Sequence, residues 1–205
     1  SCESHMAQPY AMPVIFAVRS SLCIFVIHVD QNSSARSIMH RLLPFLVIFL
    51  FAVPTAAQAQ CSPVDSLRFP VDTGTFQVMQ AFGTPSARHQ GRFHTGEDWY
   101  GGRGTSLGSR VQAIANGRVT YSSPYGWGLD GGVIIIEHTF PDGSVFYSEY
   151  GHIAEGNGVT FPPVLSCVTE GMVIAVIADV RPAPHLHFEI KTDGADRPGA
   201  GYSWA

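Results

Sequence analysis

Apolar residues in the second half of the chain recur in short alternating runs, which are separated by glycine- or proline-containing turns. Two of these runs, 111–115 and 118–121, flank Asn116 and Gly117, the dipeptide best suited to a two-residue hairpin turn. The pattern therefore predicts a β-hairpin across this region.

A second hairpin is predicted where the β-branched run 133–138 and the run 144–150 flank a Pro-Asp-Gly turn. The stretch 88–108 is rich in glycine and arginine and is interpreted as a loop. Since no segment keeps a helical period, the predicted fold is all-β or β-dominated, a small antiparallel-sheet domain with little helix. Further short strands are expected at 74–82, 173–177 and 185–191.

A different pattern, typical of a secretion signal, occupies residues 39–59. A short basic start, His40-Arg41, precedes the apolar run 42–53, and the small-residue tripeptide Ala57-Gln58-Ala59 follows it. We expect cleavage after Ala59 and export to the periplasm or cell envelope. The apolar run is shorter than the roughly 20 residues of a membrane span, so no stable span is expected after cleavage.

The signal interpretation leaves alternatives open and sets the domain boundaries. The apolar run could instead form a buried helix, and Cys61 could carry a lipid, although the residues before it do not suit a lipoprotein signal. Residues 1–38 are interpreted as a misassigned upstream start or a disordered segment. The exported chain would then have 146 residues, which is enough for one core, with 60–75 as an N-terminal extension.

Composition and charge exclude several classes of protein. The 205-residue chain is 45% apolar and only 14% charged, which excludes intrinsic disorder. Without residues 1–59, 9 basic and 14 acidic residues remain, so the net charge is −5. A nucleic-acid partner is therefore not expected, because a protein that binds nucleic acid normally carries a basic stripe.

Export also changes what the cysteines indicate. Cys61 and Cys167 remain after cleavage, and an even pair in an oxidising compartment suits a disulfide. Two independent buried thiols are the alternative. The chain contains no C-x-x-C pattern, so a cysteine zinc site is not expected.

The candidate chemistry lies in the histidines. His94 and Asp98 are four positions apart, and His185 and His187 alternate in a predicted strand, so both would point to the same face. Two imidazoles and a carboxylate form a normal ligand set for zinc. His89 and His138 belong to no pattern and are given no role.

These motifs resemble those of the lysostaphin-type (LytM-like) zinc endopeptidases, which cut peptidoglycan cross-bridges and stem peptides. The resemblance covers about residues 76–190. It is carried by Phe82-Gly83, His94-x-Gly96-x-Asp98, Val111-x-Ala113-x-Ala115-x-Gly117-x-Val119, Tyr150-Gly151-His152 and His185-Leu186-His187-Phe188-Glu189.

The resemblance implies a role for each matched residue. His94, Asp98 and His187 would bind one zinc ion per domain, and His152 and His185 would be the catalytic histidines beside it. Residues 76–205 would form the zinc peptidase domain. The approach to H-x-H, residues 177–184, departs from the family pattern because it looks shorter and lacks glycine, so the identity of the bond cut is left open.

The expected function is an exported zinc-dependent endopeptidase that hydrolyses peptide bonds of bacterial peptidoglycan. Since H-E-x-x-H is absent, no helix-borne glutamate can act as base, and His152 and His185 would share the proton transfers. Glu189 has the same strand parity and could support a ligand, but a solvated edge charge is the favoured interpretation. A regulatory partner is left open.

Two further interpretations compete with this one. The same fold could serve as a non-catalytic peptidoglycan-binding or amidase-activating module. The G-x-S-x-G match at 104–108 would make Ser106 the nucleophile of a serine hydrolase, although no strand–turn–helix pattern surrounds it. The aromatic residues Tyr121, Tyr125, Trp127 and Tyr150 could line a groove or fill a β-core.

Overall fold

Short strands make up most of the structure, a computed structural model that describes residues 60–192 and 197–204. The upstream segment 1–38 and the predicted signal peptide 39–59 lie outside the described residues. No helix among the described residues is long and apolar enough to cross a membrane. The elements are β1 (Gln77–Gln80), β2 (Pro85–Ser86), β3 (Arg92–His94), β4 (Glu97–Tyr100), α1 (Arg103–Ser106), β5 (Arg110–Gln112), β6 (Gly117–Ser123), β7 (Gly132–Thr139), β8 (Val145–Ala154), β9 (Cys167–Val168), β10 (Val173–Ile177), β11 (Leu186–Lys191) and β12 (Tyr202–Ser203).

These strands form two antiparallel sheets. The larger sheet has the order β1-β4-β11-β8-β7-β6-β9, and β10 joins it by pairing with β8 and β5. The smaller sheet has the order β12-β3-β2. This architecture confirms the predicted β-dominated fold with little helix. It also places β11, which carries the H-x-H motif, inside the larger sheet between β4 and β8.

The core forms around β7, whose four consecutive residues 133–136 are fully buried. Consecutive burial means that both faces of this strand are covered, which explains why its sequence is continuously apolar rather than alternating. The hairpin of β7 and β8 forms as predicted, through the Pro-Asp-Gly turn.

The predicted hairpin at 111–121 is wrong. The strand β5 pairs with β10, and β6 pairs with β7 and β9. Gly117 does not adopt the positive φ of a type I′ turn. It is needed instead for close packing, because a Cβ there would lie 2.5 Å from the carbonyl oxygen of Glu137 on β7. The Asn-Gly dipeptide favours a hairpin turn locally, but the packing of Gly117 against β7 determines the conformation here.

The interpretation of 88–108 as a loop is also wrong in part. This stretch contains β3, β4 and the four-residue helix α1. Strand β4 is inside the larger sheet, but its sequence, two acidic residues followed by two aromatic ones, lacks the alternation that would predict a strand.

The N-terminal segment lies against the body of the domain. Cys61 and Cys167 form a disulfide that joins this segment to β9. The backbone N–H of Val64 donates to Thr139 O (2.8 Å), and that of Arg68 donates to Ile114 O (2.9 Å). The predicted pairing of the two cysteines is therefore confirmed, and the alternative of two separate thiols is wrong.

Candidate metal centre

Strand register brings the two ends of the domain together at one place. On β11, His187 lies opposite Asp98 of β4 on one side and Gly151 of β8 on the other. His152 follows Gly151 directly, and His94 ends β3 in the smaller sheet. The sheet therefore collects residues that are up to 93 positions apart in sequence.

Three potential ligand atoms form a nearly equilateral triangle. The distance from His94 Nε2 to His187 Nδ1 is 2.9 Å, that from His187 Nδ1 to Asp98 Oδ1 is 3.0 Å, and that from His94 Nε2 to Asp98 Oδ1 is 3.1 Å. All three residues are buried. Among the described residues, this is the group of histidine, cysteine and acidic side chains that could hold a metal ion.

The far side of each imidazole indicates which nitrogen carries the proton. His94 Nδ1 lies 3.3 Å from Ala81 O, and His187 Nε2 lies 2.8 Å from Glu189 Oε1. Since these oxygens can only accept, each neutral ring has its proton on the outer nitrogen and a lone pair on the inner one. Two inner nitrogens and a carboxylate oxygen therefore face one another, and each nitrogen offers a lone pair to a metal when its ring is neutral.

This donor set fits zinc. Bonds of about 2.0–2.1 Å in tetrahedral geometry place ligand atoms about 3.3 Å apart, only a few tenths of an ångström wider than the observed triangle. Burial raises the pKa of Asp98, but hydrogen bonds from His187 and His94 outweigh it and hold that pKa well below its usual range. The carboxylate is therefore ionised and available to a cation at neutral pH.

Without a metal, the triangle attracts a proton instead. Burial lowers the pKa of His187, but hydrogen bonds to Asp98 and Glu189 outweigh it and raise that pKa to about 9. The site thus has a strong affinity for positive charge. A zinc ion would satisfy the same three atoms with the proton released.

Glu189 is buried, so its interpretation as a solvated edge charge is wrong. Besides accepting from His187, Glu189 Oε1 accepts from the Thr95 hydroxyl (2.5 Å). Burial raises the pKa of Glu189, but these hydrogen bonds outweigh it and lower that pKa below its ordinary value. A charged Glu189 fixes the His187 ring and makes its inner nitrogen a better donor to a metal.

Two further imidazoles lie beside the triangle. His185, which immediately precedes β11, has its Nε2 3.6 Å from Asp98 Oδ1, and the rings of His185 and His152 are 4.6 Å apart. The Nδ1–H of His152 donates to Asp130 O (2.7 Å), and that of His185 donates to Ala183 O (2.7 Å). Each neutral ring therefore keeps its Nε2 lone pair free for chemistry.

His152 has the properties of a constrained neutral base. Burial and the neighbouring His185 lower the pKa of His152 to about 4, so the ring is uncharged at neutral pH. Its backbone is in the left-handed region, with φ at 57°, which is uncommon for a residue other than glycine. Such backbone strain is typical of functional sites, where the surroundings hold a side chain in one position.

Close packing explains the glycine of the His94-x-Gly96-x-Asp98 motif. A Cβ on Gly96 would lie 2.4 Å from Phe188 O and 2.9 Å from His187 Nε2. The turn between β3 and β4 can therefore approach β11 only if no side chain is present at this position. Without that approach, His94 and His187 could not share a site.

Trp127 is a part of the site that the motifs did not identify. Its ring lies 4.9 Å from His152 and 5.2 Å from His187, and its Nε1–H donates to Gly199 O (2.7 Å). A Cβ on Gly151 would lie 2.1 Å from the Trp127 ring. The sequence left open whether four aromatic residues line a groove or fill the core. Of these, Trp127 lines the site and Tyr150 is fully buried in the core.

The structure does not support Ser106 as a nucleophile. The residue is fully buried at the end of α1, and its hydroxyl oxygen accepts a hydrogen bond from the Gly101 N–H (2.9 Å). A nucleophile must be exposed on a sharp turn between a strand and a helix. Here the hydroxyl stabilises the local turn instead.

Comparison with known proteins identifies the family. The model of peptidase family M23 matches residues 92–197, more than half of the chain. The chain belongs to peptidase family M23. The resemblance to lysostaphin-type peptidases is thereby confirmed, and all five histidine and aspartate positions described above lie within the matched residues of this M23 chain.

Solved structures provide neighbours of this M23 chain, whereas the curated proteins contain no match to it. A zinc-containing peptidase from Vibrio cholerae is 24% identical over 67% of this chain and 40% of that one, with a TM-score of 0.49. The lysostaphin catalytic domain from Staphylococcus simulans is 23% identical; the match covers 63% of this chain and 89% of that domain, with a TM-score of 0.46. A chain in a complex of SpoIIIAH and SpoIIQ is 22% identical; the match covers 63% of this chain and 94% of that one, with a TM-score of 0.48.

This M23 chain thus spans less than half the length of the V. cholerae peptidase that it matches. At these identities and TM-scores the neighbours carry no conclusion about activity. The family match supports peptidase chemistry in general, and the finer description of the reaction is a proposal.

Proposed function

We propose that this chain is an exported zinc-dependent endopeptidase that hydrolyses peptide bonds in bacterial peptidoglycan, in the stem peptide or the cross-bridge. One observation carries the proposal: three buried potential ligand atoms lie about 3 Å from one another beside two further imidazoles, His152 and His185. Family membership supplies the class of reaction. The signal-like segment 39–59 and the disulfide support export.

In this proposal, His94, Asp98 and His187 hold the zinc ion. When bound, zinc lowers the pKa of a coordinated water to about 7 and polarises the scissile carbonyl. Glu189 keeps the His187 ring in the orientation and tautomer that binding requires. The buried position of all three ligands excludes bulk water, which strengthens electrostatic interactions at the site.

His152 and His185 carry the proton transfers in this proposal. Each neutral ring offers an Nε2 lone pair, because its Nδ1–H is held by a backbone carbonyl. One ring accepts the proton of the attacking water, and its new Nε2–H can then donate to the developing oxyanion or to the leaving amine. Sharing the work between two fixed imidazoles replaces the helix-borne glutamate of other zinc peptidases.

The proposal is tested with purified protein and purified peptidoglycan. New amino termini should appear, disappear when a chelator is added, and return when zinc is restored. His152→Ala and His185→Ala should each keep zinc but reduce hydrolysis by about 100-fold or more. Loss of zinc from either variant would mean that ligand and catalytic roles have been inverted.

Other outcomes would contradict the proposal itself. Soluble fragments that form at the same rate with and without chelator would exclude the zinc mechanism. Tight binding to peptidoglycan without any new termini, in zinc-loaded protein, would favour the non-catalytic module instead. Identification of the new termini by mass spectrometry would also define which bond is cut.

A further inference from the structure

Two arginines line the groove beside the candidate metal centre and have no carboxylate partner among the residues that the structure describes. We define the groove as the surface bounded by Arg88, Arg181, His152, His185 and Tyr202. Arg88 lies in the short helical turn after β2, and Arg181 lies between β10 and β11. Both side chains are exposed, and they belong to different elements that meet around the site.

Some arginines in the described part of the chain have a carboxylate partner, whereas Arg88 and Arg181, like Arg92, Arg103 and Arg110, have none there. Arg68 pairs with Glu170 at 3.2 Å, and Arg118 pairs with Glu137 at 2.6 Å. Within residues 60–192 and 197–204, no carboxylate lies within 4.0 Å of Arg88 or Arg181. As far as the described residues go, both guanidinium groups are therefore available on an otherwise acidic protein.

The backbone that carries each arginine is held in place. Arg103 donates to Pro182 O (2.7 Å), directly after Arg181, and the Ala178 N–H donates to His152 O (2.9 Å). On the other side, His89 follows Arg88 and stacks on Tyr202, with ring centroids 3.6 Å apart. Fixed backbone on both sides means that only the arginine side chains must be ordered when a ligand binds.

Guanidinium groups recognise carboxylates through paired, charge-assisted hydrogen bonds. Asp98 and Asp130 also line the groove, but Asp98 would be neutralised by the proposed metal, so the two arginines are the groups there that can attract an anion on a chain whose net charge from residue 60 is −5. We propose that the groove selects peptides with a free carboxylate close to the scissile bond, and that Arg88 and Arg181 bind this group. The inference rests on the proposed peptidase function and deepens it.

A pair of synthetic stem peptides tests this substrate class. The two peptides are identical except that one carboxylate near the scissile bond is replaced by a carboxamide. With zinc-loaded full-length protein, we expect kcat/KM to be about tenfold higher for the carboxylate peptide. Arg88→Gln with Arg181→Gln should reduce this preference to nearly one.

The control variant is Arg110→Gln, which removes an exposed arginine of β5 that does not line the groove. This variant changes the net charge by one unit, as Arg88→Gln or Arg181→Gln alone does, so a general electrostatic effect would alter it as much as either single groove variant. We expect it to keep the full preference. Equal kcat/KM for the two peptides in the unchanged protein would overturn the inference and leave the proposed function intact.

Binding separates the two proposals if neither peptide is cleaved. Fluorescence anisotropy of labelled peptides, measured with zinc-loaded protein, reports affinity without hydrolysis. Tighter binding of the carboxylate peptide, lost in the double arginine variant, would support the inference even if the peptidase proposal fails. Equal binding of both peptides, or no binding of either, would overturn it.

Discussion

His187 is the residue on which the candidate metal centre depends most closely. Its Nδ1 faces Asp98 Oδ1 at 3.0 Å and its Nε2 faces Glu189 Oε1 at 2.8 Å. A buried imidazole with a carboxylate at each nitrogen has one orientation and, when neutral, one useful tautomer. The Glu189 carboxylate therefore determines whether His187 Nδ1 can offer a lone pair to a metal.

Glu189→Gln should weaken zinc binding without unfolding the protein. The carboxamide removes the negative charge that polarises His187, and loss of such an outer partner typically costs 10–100-fold in metal affinity. Competition with a chromophoric chelator measures this affinity. Glu137→Gln is the matched control, because Glu137 pairs with Arg118 on β6 and β7 away from the site. Equal affinity in both variants would contradict the role of Glu189.

A second buried histidine stabilises the core rather than the site. His138 Nδ1–H donates to Asn116 O (2.8 Å), which leaves Nε2 to share a hydrogen bond with the Ser148 hydroxyl (2.7 Å). That hydroxyl also hydrogen-bonds with Tyr150 OH (3.1 Å), which accepts from the Ile114 N–H (2.9 Å). The network satisfies two backbone groups between β5 and β6, where the predicted hairpin turn does not form.

Burial makes this network sensitive to acid. Desolvation lowers the pKa of His138, whereas the unfolded chain has an ordinary histidine pKa of about 6.5. Below that pH the unfolded state binds a proton that the folded state does not, so the free energy of unfolding falls as pH decreases from 6.5 toward the folded pKa. The slope for one proton is at most about 1.4 kcal/mol per pH unit.

His138→Gln should reduce this acid sensitivity, because glutamine can donate and accept at similar positions but does not titrate in this range. Urea unfolding at pH 7.5 and pH 5.5 measures the difference. The variant should lose less stability than the unchanged protein over this interval. If both proteins lose the same amount, protonation of His138 is not a cause of acid destabilisation.

At the scale of elements, the turn between β3 and β4 determines how closely the two sheets approach. Gly96→Ala should lower both stability and zinc affinity, since the added Cβ meets the backbone carbonyl of Phe188, which cannot move aside as a flexible side chain would. We expect destabilisation of about 1–3 kcal/mol. Thermal unfolding and chelator competition measure the two effects.

The control for this prediction is Gly104→Ala in α1. A Cβ at Gly104 meets nothing within 4 Å, and alanine favours a helix over glycine. Stability equal to or above that of the unchanged protein is expected. If Gly96→Ala were equally well tolerated, close approach at the turn would not explain the glycine of the motif.

At the scale of the whole molecule, the disulfide joins the N-terminal segment to a strand at the far edge of the larger sheet. Cys61 and Cys167 are 106 positions apart. A cross-link over a loop of this length restricts the unfolded chain, and reduction should lower the free energy of unfolding by about 2–4 kcal/mol. Urea unfolding with and without reductant measures the loss.

The double variant Cys61→Ser with Cys167→Ser is the control for the disulfide prediction. It should match the reduced protein in stability and show no response to reductant. Since neither cysteine is near the candidate metal centre in sequence or strand order, its zinc affinity should stay unchanged. A reductant that has no effect on the unchanged protein would contradict the prediction.

The sequence predicted those parts of the fold that depend on local patterns. The β7–β8 hairpin followed from two apolar runs around a Pro-Asp-Gly turn, and the approach of His185 and His187 to one carboxylate followed from strand periodicity. The resemblance to lysostaphin-type peptidases, rather than spacing alone, selected the three residues that form the triangle. Local patterns are sufficient to predict a contact when the residues involved lie on consecutive strands or on the same strand.

The remaining features depend on which strands become neighbours, which no local pattern encodes. Glu189 looked like an edge charge, but β11 has a strand on each side, so the carboxylate is buried. Gly117 looked like a turn residue, but it packs against Glu137 of β7. Trp127 reaches the site only because the loop between β6 and β7 folds back to the C-terminal segment at Gly199.

The position of β11 has a consequence for when activity can begin. The strands on its two sides, β4 and β8, come earlier in the chain, so the candidate ligand His187 and the neighbouring His185 are synthesised after the other two residues of the triangle. A growing polypeptide, or one truncated before residue 185, lacks both the candidate metal ligand His187 and the proposed proton carrier His185. In the proposed peptidase, hydrolysis therefore cannot begin until β11 has been synthesised and has inserted between β4 and β8.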